Sequence, residues 1–152
     1  MCKADLPAVA QLEKECFAEA WSENALAESL AESNYVFFVA AVSKPSCMED
    51  EKDIEEIAGY VGAYLAADEL SITNVAVFSS YRRCGVADQL MKALDAFAQE
   101  KNLYGITLEV RVSNNAAIAL YEKNGYEKSG IRKGFYSKPK EDALIMWKYF
   151  QQ

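Results

Sequence analysis

A strand pattern, a basic turn and a helix pattern follow one another in the middle of the chain, and this succession most limits the folds open to it. The apolar segment LSITNVAVF covers residues 70–78, and the turn YRRCGVA contains Arg82, Arg83 and Gly85. Apolar residues then recur at helical spacing, at Val86, Leu90, Leu94 and Phe97. The free N–H groups of the first helical residues therefore lie at this turn with the positive end of the helix dipole, where an anion is favoured.

The turn alone does not identify a ligand. A P-loop requires GxxxxGK[ST], which is missing, and a dinucleotide fingerprint requires GxGxxG, whereas Ala87 stands at the second glycine position. Gly85 and Ala87 keep side chains away from the backbone, so a pyrophosphate fits at the helix start. An ordinary strand-to-helix turn is an equally good interpretation of these residues.

The acidic composition narrows the class of partner. The 152 residues include 23 Asp and Glu against 16 Lys and Arg, a net charge of −7, which argues against a nucleic-acid-binding surface and suits an amine or a basic peptide. Histidine is absent and the four cysteines form no CxxC pair, so we expect no zinc site and reduced thiols in the cytoplasm. No signal peptide pattern or membrane-length apolar stretch is expected.

Periodicity along the chain predicts the element order ααβββαβαββ, an α/β or α+β fold with a central mixed sheet. Residues 1–152 fit one domain of ordinary size. Strand patterns at residues 35–42 and 57–67 flank the acidic segment 43–56. We expect that segment to be a solvated loop between antiparallel strands; a role in attracting substrate is the alternative.

The third strand pattern changes parity part-way along. Leu70 and Ile72 share one parity, whereas Val75 and Val77 share the other. One extra residue, a β-bulge, lets both pairs face the same side and leaves backbone groups free for a ligand. We therefore predict a bulge between Ile72 and Val75.

Helix ends are marked by polar residues and a glycine. Ser22 is the expected N-cap of the second helix, and Asn114 or Asn115 that of the last. Gly125 is expected to end the last helix in the left-handed conformation.

Residues 74–146 carry the signature of a known family. The pieces are NVAV, Arg82-x-x-Gly85-x-Ala87 and LEVRVSNNAAIALYEKNGY, followed by IRKGFY and EDALIM. Together they resemble the GNAT acetyltransferases, most closely the bacterial subfamily that acetylates the N-terminal alanine of ribosomal protein S18. AWSE, residues 20–23, resembles that subfamily's PWSE segment, with alanine in place of proline. The resemblance implies a mostly antiparallel twisted sheet flanked by helices and splayed between two strands at an acetyl-CoA site.

The resemblance also implies acetyl-CoA as co-substrate, without a metal. The pyrophosphate is expected on N–H groups of residues 83–88, and Asp88, at the first helical turn, is expected to weaken the attraction for phosphate. Only Met1 to Ala4 stand in for the strand that precedes the first helix in the family. The implied cofactor-binding residues are Val75, Ala76, Val77, Arg82, Arg83, Cys84, Gly85, Val86, Ala87, Asp88 and Asn114.

Two residues are candidates for proton transfer. Glu109 faces away from apolar Leu108 and Val110, and Tyr121 lies two helical turns after Asn114. By themselves these residues fit a surface strand position and a core aromatic. The resemblance assigns Glu109 as general base and Tyr121 as the acid that protonates the coenzyme A thiolate, with Asn114 on the pantetheine arm or at the helix cap.

The acceptor is expected to be the α-amine of a protein N-terminus, as in the S18-directed subfamily. An α-amine, whose pKa is about 8, is easier to neutralise than a lysine, whose pKa is about 10.4. Trp21 and Tyr136 are candidates for lining the acceptor groove, or for core packing. A lysine or small-amine acetyltransferase and a non-catalytic acyl-CoA-binding or partner-binding module remain alternatives. Cys84 has no histidine to activate it and is interpreted as incidental to catalysis.

Overall fold

A computed structural model describes residues 1–44 and 54–150 of the chain. The predicted order of helices and strands is confirmed, with two short 3-10 turns added at Lys3–Asp5 and Ser79–Tyr81. The helices are α1 (Leu6–Cys16), α2 (Glu23–Ala31), α3 (Val86–Glu100) and α4 (Asn115–Lys123). The strands are β1 (Tyr35–Lys44), β2 (Ile54–Ala66), β3 (Glu69–Val77), β4 (Gly105–Arg111), β5 (Glu127–Ser137) and β6 (Lys140–Tyr149).

The six strands form one mixed sheet in the order β1-β2-β3-β4-β6-β5. Strands β1, β2 and β3 pair antiparallel, as do β4, β6 and β5. The two antiparallel halves meet along a parallel seam of four residue pairs, from Glu69 with Gly105 to Ile72 with Leu108. The predicted mostly antiparallel sheet flanked by helices is therefore confirmed.

A β-bulge interrupts β3 where the parity changes. Gly62 pairs with Asn74 and Ala63 with Ile72, so Thr73 is the extra residue. Leu70, Ile72 and Val75 consequently pack in one core, although an alternating strand would place Val75 on the opposite face. The predicted bulge is confirmed.

Helices cover both faces of the sheet because each side of the central strands is apolar. On one face, α3 and α4 pack over a core that includes Val61, Met91 and Met146. On the other face, α1 and α2 bury Leu12 and Leu26 against the opposite sides of β1 to β3. None of the helices in the described residues is long and apolar enough to span a membrane.

The helix ends follow the polar signals. Ser22 Oγ accepts the Ala25 N–H at 3.1 Å, and Asn114 Oδ1 accepts the Ala117 N–H at 3.2 Å, which resolves the choice between Asn114 and Asn115. Gly125 has φ +86°, and the following residue's N–H reaches back to Tyr121 O at 3.0 Å. This left-handed glycine turns the chain from α4 into β5.

The start of the chain follows the predicted order, whereas the acidic segment is a loop over fewer residues than predicted. Residues 3–5 form a 3-10 turn that leads directly into α1, and no strand is assigned to residues 1–4. The acidic segment 43–56 overlaps two strands: Ser43 pairs with Glu55 across β1 and β2. Those strands are antiparallel, as expected, whereas residues 45–53 of the segment lie outside the described residues.

Candidate active site

The sheet opens beyond its parallel seam. Pairing between β3 and β4 ends at Ile72 and Leu108, although β3 continues to Val77 and β4 to Arg111. A cleft of about 550 Å³ occupies the gap. Of the residues singled out in the sequence, six line it: Trp21, Val75, Glu109, Asn114, Tyr121 and Tyr136.

Glu109 faces the cleft because of the alternation of β4. Leu108 and Val110 are buried in the core under α3 and α4, so Glu109 points to the other face of the sheet. Its carboxylate lies 3.0 Å from the guanidinium of Arg132 on β5. The Glu109 side chain is 23 % exposed and that of Arg132 is 55 % exposed, so the pair remains in contact with water.

Tyr121 approaches the cleft from the opposite face, on α4. The residue is buried at 8 % exposure and packs in the core beside Tyr126, with ring centroids 5.9 Å apart. Burial, and then the neighbouring Tyr136, raises the pKa of the Tyr121 phenol well above its usual range. The phenol therefore keeps its proton at neutral pH and can donate a hydrogen bond into the cleft.

One wall of the cleft is the hairpin between β5 and β6. Tyr136 donates a hydrogen bond to the backbone carbonyl of Glu109 at 3.2 Å. Arg111 lies 4.1 Å from the Tyr136 ring, and its guanidinium donates to the carbonyls of Lys138 at 2.9 Å and Pro139 at 3.0 Å. The fork shape of arginine suits this cluster of acceptors, so Arg111 fixes the hairpin over Glu109. Arg111 is a site residue that no sequence motif indicated.

The facing wall is the segment between α1 and α2. Trp21 lines the cleft, and its ring meets Tyr35 edge-on at 6.1 Å. The backbone N–H of Trp21 donates to Glu13 Oε2 at 2.9 Å. Glu13 is completely buried, and the sequence analysis did not identify it as part of the site. One sequence feature does indicate that Glu13 is buried: it lies seven residues after Leu6, on the apolar stripe of α1.

The basic turn adjoins the cleft and leads into α3, whose first N–H groups have no side-chain cap. Gly85 is the N-cap of α3 with φ +82°, and it has no side chain to satisfy the first N–H groups of the helix. Arg82 Nε donates to Val77 O at 3.2 Å, and its Nη2 lies 3.6 Å from the Sγ of Cys16, a cleft residue. The turn is therefore joined to the open end of β3.

Asp88, in the first turn of α3, is paired with two lysines. Its carboxylate lies 2.8 Å from Lys92 Nζ and 3.2 Å from Lys123 Nζ, and it accepts from Asn124 Nδ2 at 3.1 Å. Hydrogen bonds from Lys92, then Lys123 and Asn124, lower the pKa of Asp88 to about 2. Its negative charge is thus balanced by two nearby ammonium groups.

The remaining predicted residues occupy distinct places around the cleft. Arg83 and Cys84 are exposed in the turn, and Arg83 has a positive φ of +61°. Ala76 is buried on the α1 side of β3, so only its backbone is available to a ligand on the other side. Val86 and Ala87 form the first turn of α3.

These features fit the parts of acetyl-CoA. Asn74 to Val77 pair with β2 but not with β4, so the edge of β3 that faces the gap suits a polar, extended arm. The uncapped start of α3 and the two exposed arginines suit a pyrophosphate, and a Cβ built on Gly85 would meet nothing within 4 Å, so this approach is open. In residues 1–44 and 54–150, no group of three or more Cys, Asp or Glu side chains is placed to hold a metal ion.

Comparisons with known proteins identify the family. The model of the acetyltransferase (GNAT) family matches residues 6–126. The ribosomal protein bS18-alanine N-acetyltransferase of Escherichia coli K12 is 32 % identical over 144 residues, covering 93 % of this chain and 89 % of that protein. An N-alpha-acetyltransferase of Saccharolobus solfataricus is 43 % identical over 76 residues, covering 49 % of this chain and 45 % of that protein.

Structural comparison agrees with the sequence matches. The crystal structure of the ribosomal-protein-S18-alanine N-acetyltransferase from Escherichia coli superposes with a TM-score of 0.80 and 29 % identity, covering 100 % of this chain and 92 % of that chain. With its bulged β3, its splayed sheet and its basic turn, the chain belongs to the GNAT acetyltransferase family and is an N-acetyltransferase that uses acetyl-CoA.

Proposed function

We propose that this protein acetylates the N-terminal α-amine of a protein, and that its acceptor is the alanine end of ribosomal protein S18 in the cytoplasm. The observation that carries the proposal is the meeting of Glu109 and Tyr121 at one cleft, in a chain 32 % identical to an enzyme named for that alanine. Glu109 supplies a carboxylate that can receive a proton, and Tyr121 supplies a phenol that can donate one.

Glu109 acts as the general base, directly or through one water. The amine nitrogen forms its bond to the acetyl carbon as the carbon–sulfur bond breaks, and the carboxylate takes the amine proton. Neutralising an α-amine at pH 7 costs about 1.4 kcal/mol, against about 4.6 kcal/mol for a lysine, so a carboxylate open to water suffices for the α-amine. The carboxylate also pairs with Arg132, and this pair stays in contact with water.

Tyr121 stabilises the departing sulfur. Acetyl-CoA supplies the activated acetyl group as a thioester. Asn74 to Val77 offer backbone groups to its arm, and the first N–H groups of α3 receive its pyrophosphate. Because burial raises the pKa of Tyr121, the phenol is a weak proton donor, so a hydrogen bond to the sulfur carries much of its effect and the proton follows late.

The two walls of the cleft form the acceptor groove. Trp21 and Tyr136 face it from the α1–α2 segment and from the β5–β6 hairpin, and an N-terminal residue fits between them. The net charge of −7 favours a basic polypeptide, because long-range attraction raises encounter rates.

The test compares acceptors on one basic peptide. A peptide with a free N-terminal alanine is expected to be acetylated at that amine, as read by mass spectrometry. The same peptide, blocked at its N-terminus but keeping its lysines, is the matched control. Preferred acetylation of the blocked peptide would overturn the N-terminal proposal in favour of a lysine acetyltransferase, and acetyl-CoA binding without turnover of any acceptor would favour a binding module.

A further inference from the structure

Glu13 is a buried carboxyl group at the junction of three elements. It projects from α1, with 0 % exposure, beneath the segment that forms the Trp21 wall of the cleft. Its Oε2 accepts the Trp21 N–H at 2.9 Å. Its Oε1 accepts from Asn74 Nδ2 on β3 at 2.9 Å and from the Tyr60 hydroxyl on β2 in a short hydrogen bond.

Among the residues that the structure describes, the donors to Glu13 are all neutral, so no ion pair within this part of the chain explains its burial. Placing a carboxyl group away from water is costly unless hydrogen bonds replace those made with solvent. Here each of its oxygens is satisfied by a different part of the site. The protein thus retains a polar group in the α1 core where an apolar residue of the helix stripe would otherwise pack.

The two oxygens of Glu13 connect two parts of the cleft lining. Asn74 directly follows the bulge residue Thr73 and lines the cleft where β3 parts from β4. Trp21 lines the acceptor wall formed by the α1–α2 segment. We propose that Glu13 is a positioning residue that fixes the acceptor wall at Trp21 relative to the bulged strand that receives the acetyl donor; this inference rests on the proposed function.

Glu13→Gln is expected to break the hydrogen bond to Trp21 while keeping those to Tyr60 and Asn74. The glutamine oxygen can stay at the Oε1 position, where Tyr60 and Asn74 both donate. Its NH₂ group then faces the Trp21 N–H, donor against donor, so the hydrogen bond to the wall is lost while the bonds to the sheet remain. The volume of the side chain hardly changes, so the substitution creates no cavity.

Tyr60→Phe is the matched control. It removes a donor from the Oε1 side and leaves the bond between Glu13 and the Trp21 N–H intact. Both variants weaken the same buried network, so both are expected to lower the melting temperature. Only Glu13→Gln releases the acceptor wall.

Kinetics and amide exchange together test the inference. For Glu13→Gln, kcat/KM for the acceptor is expected to fall by about 10- to 100-fold, since misplacement by about 1 Å can cost that much, with KM for acetyl-CoA unchanged within about twofold. Tyr60→Phe is expected to keep the wild-type kcat/KM. Folded Glu13→Gln with wild-type acceptor kcat/KM, or an equal loss in Tyr60→Phe, would overturn the inference.

Exchange of the Trp21 amide hydrogen, followed by NMR, needs no substrate. In the wild-type protein this amide should exchange more slowly than its neighbours in the α1–α2 segment, and Glu13→Gln should remove the difference. A wild-type Trp21 amide that exchanges as fast as those neighbours would refute the proposed role of the hydrogen bond between Trp21 and Glu13, even if the variants did not fold. If the wild-type protein acetylated no N-terminal peptide, the proposed function would fail, while the exchange result would still decide the role of Glu13 in holding the wall.

Discussion

Glu109→Gln separates the shape of the Glu109 side chain from its ability to take a proton. The substitution keeps the size of the residue and its place on β4, but it removes the charge that pairs with Arg132 at 3.0 Å. That pair is partly exposed, and such pairs stabilise a protein by about 1 kcal/mol or less. A loss of this size lowers the melting temperature of a chain of this length by about 2–4 °C, so the variant is expected to fold.

The expected loss of activity is much larger and depends on pH. A general base typically contributes about 10²- to 10⁴-fold, so turnover at pH 7 should fall by at least about 10²-fold. An α-amine with a pKa near about 8 is about one-tenth neutral at pH 7 and about nine-tenths neutral at pH 9. The variant depends on the neutral amine, so the gap between wild type and variant should shrink about tenfold over this range.

The assay is steady-state acetylation of an N-terminal alanine peptide at pH 7, 8 and 9, with acetyl-CoA saturating. Arg132→Gln is the control, because it removes the same ion pair and keeps the carboxylate; it should retain most of the activity. A Glu109→Gln variant with wild-type turnover at pH 7, or a deficit that stays constant up to pH 9, would remove the general-base role.

Three further substitutions test other parts of the site. Tyr121→Phe should slow single-turnover acetyl transfer by about 10²-fold with little change in melting temperature, and equal rates would exclude Tyr121 from the chemistry. Gly85→Glu should abolish acetyl-CoA binding by calorimetry, because the new side chain projects into the open approach to α3 with a negative charge, and normal affinity would move the pyrophosphate site elsewhere. Asp88→Asn should be less stable than wild type at pH 7. Since folding lowers the pKa of Asp88 from 3.8 to about 2, that difference should persist above about pH 4 and vanish as the pH falls through 2; a difference constant from pH 7 to pH 2 would contradict the ion-pair account.

The sequence predicted those parts of the fold that depend on local pattern. The parity change in β3 predicted a bulge between Ile72 and Val75, because a buried face requires the apolar residues of a strand to stay on one side; the structure shows Thr73 as the extra residue. Ser22 and Asn114 marked helix starts, and Gly125 marked a helix end, since each signal acts through the nearest backbone groups. The splayed sheet and acetyl-CoA came from the family resemblance and not from such patterns.

The contacts that shape the cleft were not predictable in this way. The place of Glu13 on the apolar stripe of α1 indicates burial, but only the packing of α1 on β2 and β3 reveals that its partners are 47 and 61 residues away. Arg111 alternates with buried residues of β4, as a surface residue would, yet it donates hydrogen bonds to carbonyls of the β5–β6 hairpin 27 and 28 residues further on. Long-range hydrogen bonds of this kind leave no periodic trace in the sequence.

The seam between β3 and β4 makes the width of the cleft sensitive to distant packing. Only four residue pairs join the two halves of the sheet, and β3 then runs five residues from Ile72 to Val77 without β4 beside it. This stretch is about 16 Å long at about 3.3 Å per residue, and it is paired with β2, so a rotation of about 5° of the β1–β3 half about the seam moves its far end by about 1.4 Å. Leu70 and Ile106 pair with each other in the seam and are fully buried. Their packing is therefore expected to influence how acetyl-CoA and the amine align, although neither side chain lines the cleft. A substitution there that leaves the protein well folded can slow acetyl transfer as much as one inside the cleft.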